Sequence, residues 1–359
     1  MEPNYKKIKV LIVDDSRFIQ KVLMDILQSD DAIEVIGLAK NGEEAITMVK
    51  DLKPDVVTMD VEMPRVSGID ALKVIMDESP VPVIMLSSLT SDGAQSTLNA
   101  LEFGAVDFVQ KPTGVFDLNS NNNKIEIINK VKIASRAKIH KSNKLSFNSP
   151  TPSPSRLNLN SFKPSNDKTS IVAIGISTGG PKALQYIIPQ IPKNITASFL
   201  VVQHMPPNFT KSLADRLNNI SQVTVKEAED GEVVKPGFVY IAPGDYHLRV
   251  KEIGKDVIII LGKEDSVSGH RPSVDVMFNS IAESKITNNI VGVVMTGMGS
   301  DGTKGAVQLK NSKGSFIIAQ DESSSIVYGM PKSVAKAGVV DKIVSLDRII
   351  DTIINRVGV

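Results

Sequence analysis

The chain has 359 residues, with 41 Lys plus Arg against 40 Asp plus Glu and a formal net charge of +1. That length predicts about two or three domains, each large enough for its own core, and the charge balance argues against a general nucleic-acid or membrane-surface binder. There is no cysteine, which excludes disulfides, thiolate catalysis and cysteine-ligated zinc. The opening MEPNYKKIKVLIVDD lacks an apolar h-region with a small-residue cleavage site. No apolar run approaches the ~20 residues of a membrane span, so the expectation is a soluble, cytoplasmic protein without a membrane-inserted segment.

From residue 7 to about 112, short apolar runs alternate with amphipathic stretches. IKVLIV, AIEVIGL, DVVTM, PVIML and VDFV read as strands. The first is followed by a helix in which Phe18, Val22, Leu23 and Ile26 recur at helical spacing. This βα alternation predicts an α/β unit with a five-stranded parallel, doubly wound sheet of flavodoxin-like type, closed by a helix at about 122–140. Residues 141–168, KSNKLSFNSPTPSPSRLNLNSFKPSNDK, are dominated by Pro, Ser and Asn and read as a linker. A second, Rossmann-like α/β unit begins at Thr169, with strands IVAIGI, SFLVVQ, QVTVKE, FVYIA, HLRVKE, VIIIL, IVGVVM and SFIIA. The two runs around EIGKD read as an antiparallel hairpin extending a mainly parallel sheet.

In the first unit, Asp14 and Asp15 follow the first strand, Asp60 the third, Ser87 the fourth and Lys111 the fifth. Each has an ordinary use alone, as a helix cap, a turn residue or a solvated strand end. Together they fall at the carboxyl ends of parallel strands, where open α/β sheets form their ligand crevice. Three carboxylates repel one another unless a cation sits among them. Mg²⁺ suits such hard oxygen donors, with Asp15 and Asp60 as ligands and Asp14 nearby. A carboxylate can attack phosphorus to give an aspartyl phosphate; Lys111 would then stabilise the added charge and Ser87 would donate to a phosphate oxygen. Residues 7 to about 125 resemble a response-regulator receiver domain. The matching residues are Asp14, Asp15, Asp60 with Met63-Pro64 and Gly68, Ser87, and Lys111-Pro112, whose bond is typically cis in that family. The resemblance makes Asp60 the phospho-acceptor and Phe108 the aromatic switch that moves with Ser87.

In the second unit, IGISTGGPKAL at 174–184 runs from a strand through a tight turn into a helix. Three readings compete. A G-x-S-x-G turn can hold Ser177 out as a nucleophile, a glycine-rich helix opening can bind an anion, or Ser177 simply caps the helix. No G-x-x-x-x-G-K-[ST] pattern occurs in this turn, which disfavours a P-loop. The choice rests on partners. Of the four histidines, His140 lies at the linker edge and His247 in APGDYHLRVKE reads as an ordinary polar edge residue. His204, in VVQHMPPNFT, ends a strand at the sheet end where Ser177 lies. His270, in SGHRPSVDVMF, sits in a loop beside Arg271. Asp301, in VVMTGMGSDG, follows another strand, as a helix N-cap or as an orienting carboxylate, and the glycines there let backbone N–H groups face inward as oxyanion donors. The convergence of Ser177, His204 and Asp301 places the nucleophile reading ahead of the phosphate reading. Their order differs from the Ser, Asp, His order of α/β-hydrolases.

Residues 169 to about 357 resemble the catalytic domain of the chemotaxis protein-glutamate methylesterases, through GISTGGPKAL, VVQHMPPNFT, YIAPGDYHL, GHRPSVDVMF, MTGMGSDG and YGMPKSVAKAG. Ile176 departs from the small residue the family often has before the serine. The resemblance implies a phosphorylation-regulated enzyme that hydrolyses glutamate methyl esters on methyl-accepting chemoreceptors and deamidates receptor glutamines, phosphorylated by a chemotaxis histidine kinase. It implies the backbone N–H of Met298 as an oxyanion donor, with Thr178, His270 and Arg271 at the rim or behind the site, and no cofactor there. The chain is expected to act as a monomer recruited to receptor clusters, without binding nucleic acid. A further hypothesis has the unphosphorylated receiver covering the esterase crevice until phosphorylation acts through Ser87 and Phe108. The competing classes are a receiver with a DNA-binding output, a catalytically silent binding module and a nucleotide-binding second domain.

Overall fold

The longest uninterrupted apolar runs become the central strands, because a parallel sheet covered on both faces leaves no position for polar alternation. The computed structural model describes residues 6–88, 90–111, 121–137, 170–286 and 289–358. It divides into two units, Met1–Phe162 and Lys163–Val359. The stretch 141–168, His140 and Pro112 lie outside the described residues. Among those described, no helix is long and apolar enough to cross a membrane.

The first unit runs β1 (Ile8–Val13), α1 (Arg17–Gln28), β2 (Ile33–Ala39), α2 (Gly42–Leu52), β3 (Val56–Asp60), α3 (Gly68–Glu78), β4 (Val83–Ser87), α4 (Ser91–Glu102), β5 (Asp107–Gln110) and α5 (Asn121–Ala134). All strand pairs are parallel, in the order β2-β1-β3-β4-β5. The order reverses between β1 and β3, so the crevice of the sheet opens above the ends of those two strands. Ser16, Asn41, Ser67 and Thr90 each cap the following helix with a side-chain oxygen. The buried stripe of α1 is Ile19, Val22, Leu23, Ile26 and Leu27. Phe18, read from spacing as part of that stripe, is 50% exposed. The last helix stops at Ala134, short of 140, and 135–137 form a turn.

The second unit runs β6 (Ile171–Ile176), α6 (Gly180–Ile187), β7 (Ser198–Gln203), α7 (Phe209–Ile220), β8 (Thr224–Glu227), β9 (Phe238–Ile241), β10 (His247–Ile253), β11 (Asp256–Gly262), α8 (Val274–Glu283), β12 (Ile290–Val294), α9 (Thr303–Lys313), β13 (Phe316–Gln320), α10 (Met330–Lys336), β14 (Lys342–Val344) and α11 (Ile349–Val357). Its sheet has seven parallel strands in the order β14-β13-β12-β6-β7-β9-β8. The chain builds outward from β6, first through β7 and later through β12, which makes β6 the switch point. The antiparallel hairpin β10–β11 forms its own two-stranded sheet instead of extending the large one. Its Leu248, Val250 and Ile259 join Met277, Phe278 and Ile281 of α8 in one buried cluster. The edge strand β14, absent from the sequence reading, has only three residues and no buried one.

Candidate active site and acidic pocket

In the first unit the acidic residues converge as their strand ends predict. Asp14 is fully buried and Asp60 is 5% exposed. With Asp15, which is exposed, their carboxylate oxygens lie within 4.8 Å of one another. Lys111 Nζ donates to Asp60 Oδ2 at 2.6 Å and stands 3.0 Å from Asp14 Oδ2 without hydrogen-bond geometry. Burial pushes both carboxyls above their ordinary range, against the pull of Lys111. Burial acts to lower Lys111, but its two carboxylate partners outweigh this and hold it above its ordinary value.

This donor set fits Mg²⁺: hard carboxylate oxygens within 4.8 Å of one another, in a cleft rimmed by Asp15, Glu62, Ser88 and Lys111. Gly68 has a steric role, since a Cβ there would stand 1.9 Å from the Asp60 carbonyl oxygen. The hydroxyl of Ser87 is turned into α4, accepting from Thr97 Oγ1 at 2.5 Å and meeting the Gly93 carbonyl at 3.3 Å. Phe108 is buried. Lys130 donates to its carbonyl at 2.6 Å and lies 5.2 Å from the ring centroid.

In the second unit three neighbouring strands, β12, β6 and β7, carry the site. Ser177 directly follows β6, its N–H donating to the Thr296 carbonyl at 3.0 Å. His204 directly follows β7, its N–H donating to the Ile176 carbonyl at 3.2 Å. Asp301 lies on the loop after β12. Gly179 has φ +77° and Gly180 opens α6, so the turn needs its glycines. A Cβ on Gly297 would stand 2.8 Å from Ser177 Cβ, which places the 296–299 loop directly on the serine.

Asp301 is 2% exposed. It accepts from Ser273 Oγ at 2.9 Å and from the N–H groups of Val274, Asp275 and Gly302 at 2.7, 3.0 and 3.0 Å. Two of those N–H groups begin α8, so the carboxylate takes the place of an anion bound at a helix N-terminus. It is therefore not the N-cap of α9, a place held by Gly302. Asp301 Oδ2 also holds His204 Nε2 at 2.8 Å. Burial acts to raise its carboxyl, but the His204 hydrogen bond and charge, with the N–H groups of Asp275 and Val274, outweigh this and hold it at about 2. An ionised carboxylate only accepts, so His204 Nε2 is the donor of this hydrogen bond. The other ring nitrogen, Nδ1, is buried and, among the described residues, has no hydrogen-bond partner. The Ser177 hydroxyl is thus not bonded to it in this conformation, a contact that free enzymes often close only with substrate.

The other expected residues scatter in role. Met298 is 37% exposed at the lip of the site. Thr178 is buried, its carbonyl held by Thr296 Oγ1 at 2.9 Å. Arg271 binds the Asp245 carboxylate and the carbonyls of Lys263 and Glu264, tying two loops together. His247 is fully buried at the start of β10, its Nε2 3.1 Å from the Asp265 carbonyl, and so is no edge residue. Ile176 is fully buried, its Cγ1 against Gly180. His270 stacks on His204, with ring centroids 3.8 Å apart and planes 11° from parallel.

Sequence reasoning missed Gln203, whose Nε2 donates to the carbonyls of both Ser177 and His204 at 3.1 and 3.2 Å. It also missed Ser273. The one signal for Gln203 was a polar residue closing an otherwise apolar strand.

Fold and site together define a two-domain α/β protein that joins an acidic receiver pocket to a hydroxyl–imidazole–carboxylate site. The response regulator receiver domain family matches residues 10–121 and the CheB methylesterase family matches residues 172–353. A protein-glutamate methylesterase/protein-glutamine glutaminase of Pyrococcus abyssi is 46% identical over 98% of this chain and 94% of its own length. One of Thermotoga maritima is 47% identical over 98% of each. The crystal structure of the Thermotoga maritima CheB methylesterase catalytic domain is similar with a TM-score of 0.51 and 50% identity, over 52% of this chain and 98% of that one. The chain belongs to the protein-glutamate methylesterase/protein-glutamine glutaminase family.

Proposed function

We propose that the protein hydrolyses glutamate methyl esters on chemoreceptors, and deamidates receptor glutamines, through a Ser177–His204–Asp301 triad regulated by phosphorylation of Asp60. The observation that carries this reading is the buried Asp301–His204 pair, whose Nδ1 has no hydrogen-bond partner among the described residues, at the strand next to Ser177. His204 Nδ1 takes the Ser177 proton as the oxygen bonds to the ester carbonyl carbon. Asp301 stabilises the imidazolium, and the Met298 N–H meets the oxyanion; one such donor is worth about 10²–10³ in turnover. The proton passes to the leaving methoxide, methanol departs, and water activated by His204 cleaves the glutamyl-serine ester. A glutamine substrate releases ammonia in place of methanol.

In the receiver, read as 7–125 and joined through the 141–168 linker to a catalytic domain at 169–357, Asp60 accepts the phosphoryl group from a chemotaxis histidine kinase. Asp15 and Asp60, with Asp14 beside them, would hold Mg²⁺, which when bound offsets the negative charge of the carboxylates and phosphoryl oxygens. Lys111, which pairs with Asp60 here, then stabilises the added phosphoryl charge, and Ser87 leaves α4 to meet the phosphate. The protein acts in the cytoplasm as a monomer at receptor clusters.

The test is methanol release from methylated receptor membranes by the intact chain. Ser177→Ala is expected to lower it by about 10⁶; release that survives the substitution would refute the triad.

A further inference from the structure

We propose that His270 is a positioning residue for His204, its ring stack setting where Nδ1 points; this rests on the esterase reading above. The hydrogen bond to Asp301 fixes the imidazole at Nε2 alone. One pinned atom leaves the ring free to swivel about its terminal torsion, which is broad for histidine. On the other nitrogen there is no hydrogen bond among the described residues to stop it. The flat face of His270, 3.8 Å away and 11° from parallel, removes that freedom.

The plate is itself held. Val267 and His270 exchange two backbone hydrogen bonds, 3.1 and 3.0 Å, across Ser268 and Gly269. Both central residues have positive φ, 54° and 82°, the backbone of the tight primed hairpin turn. The next residue, Arg271, is anchored to the Asp245 carboxylate and two carbonyls. Then Ser273, Val274 and Asp275 bind Asp301. One continuous run, 267–275, therefore carries the ring over the base and the cradle of the acid, and sets the two in register.

The test compares His270→Phe, which keeps a flat ring, with His270→Leu, which keeps bulk without a plane, in the full chain. Two quantities are read. One is the downfield proton resonance of His204 Nε2–H, identified by its loss in His204→Gln; it needs no turnover, so it decides the stacking question even if the esterase reading fails. The other is the split between kcat and KM. His270→Leu is expected to broaden the resonance and lower kcat by about tenfold to a hundredfold with KM little changed, and His270→Phe to recover most of that loss. A sharp, unshifted resonance in His270→Leu, or equal losses in the two variants, overturns the proposal. Gly269→Ala gives an independent check, because a Cβ there meets open space while the positive φ of the turn is strained. It should lower kcat in the same direction, and wild-type kcat with an unchanged resonance would overturn the role of the turn.

Discussion

Asp301 shows how one side chain is tuned by what surrounds it. The carboxylate meets His204, a serine hydroxyl and three backbone N–H groups. An amide of the same shape turns an NH₂ toward some of these donors, so Asp301→Asn leaves buried N–H groups unpaired and permits the wrong imidazole tautomer. Its kcat is expected to fall about 10⁴-fold, measured as methanol release. The same carboxyl gives a pH signature. Its folded value, about 2, lies below the ordinary 3.8. The stability it contributes is therefore present above the ordinary value and lost as pH falls through about 2. Four of the five tyrosines, at 186, 240, 246 and 328, lie in the second unit, so their near-ultraviolet signal reports its acid unfolding. Asp301→Asn should show a flatter dependence in that window, and an unchanged slope would assign the effect elsewhere.

At the scale of elements, the turn between β6 and α6 depends on what glycine omits. A Cβ on Gly180 would stand 1.9 Å from Gln203 Oε1, the carboxamide that ties the Ser177 and His204 carbonyls together. Gly180→Ala is expected to displace Gln203, costing about 1–3 kcal/mol by overpacking and about tenfold in kcat; a normal kcat would show that the bridge does not hold the two strand ends together. The sequence made the central strands legible because runs such as IVAIGI are buried along their whole length. It also placed Ser177, His204 and Asp301 at one end of the sheet, because each follows such a run. It did not reveal β14, which has too few residues to show a pattern, or the detachment of β10–β11, which depends on packing against α8. His247 was misread because its burial is made possible by a carbonyl from another segment. The His270 stack and the cradle of Asp301 depend on contacts between residues distant in sequence, and periodicity carries no trace of those.

At the scale of the whole molecule, regulation is the property to test, since the acidic pocket and the Ser177, His204 and Asp301 side chains belong to different units. With a small-molecule phosphodonor and Mg²⁺, methanol release by the intact chain is expected to rise about 5- to 150-fold, the usual range of coupling between sites. Asp60→Asn should abolish that rise, and a rise that persists would place the phosphoryl group elsewhere. The burial of Asp301 has a consequence for the medium in which the enzyme works. Mobile ions screen exposed charges over about 10 Å at 0.1 M, but reach buried pairs far less. The Asp301–His204 pair, with side-chain exposures of 1% and 6%, is shielded in this way. The chemical step should therefore run at one rate in dilute buffer and in concentrated salt, leaving ionic strength to govern only how the receptor arrives.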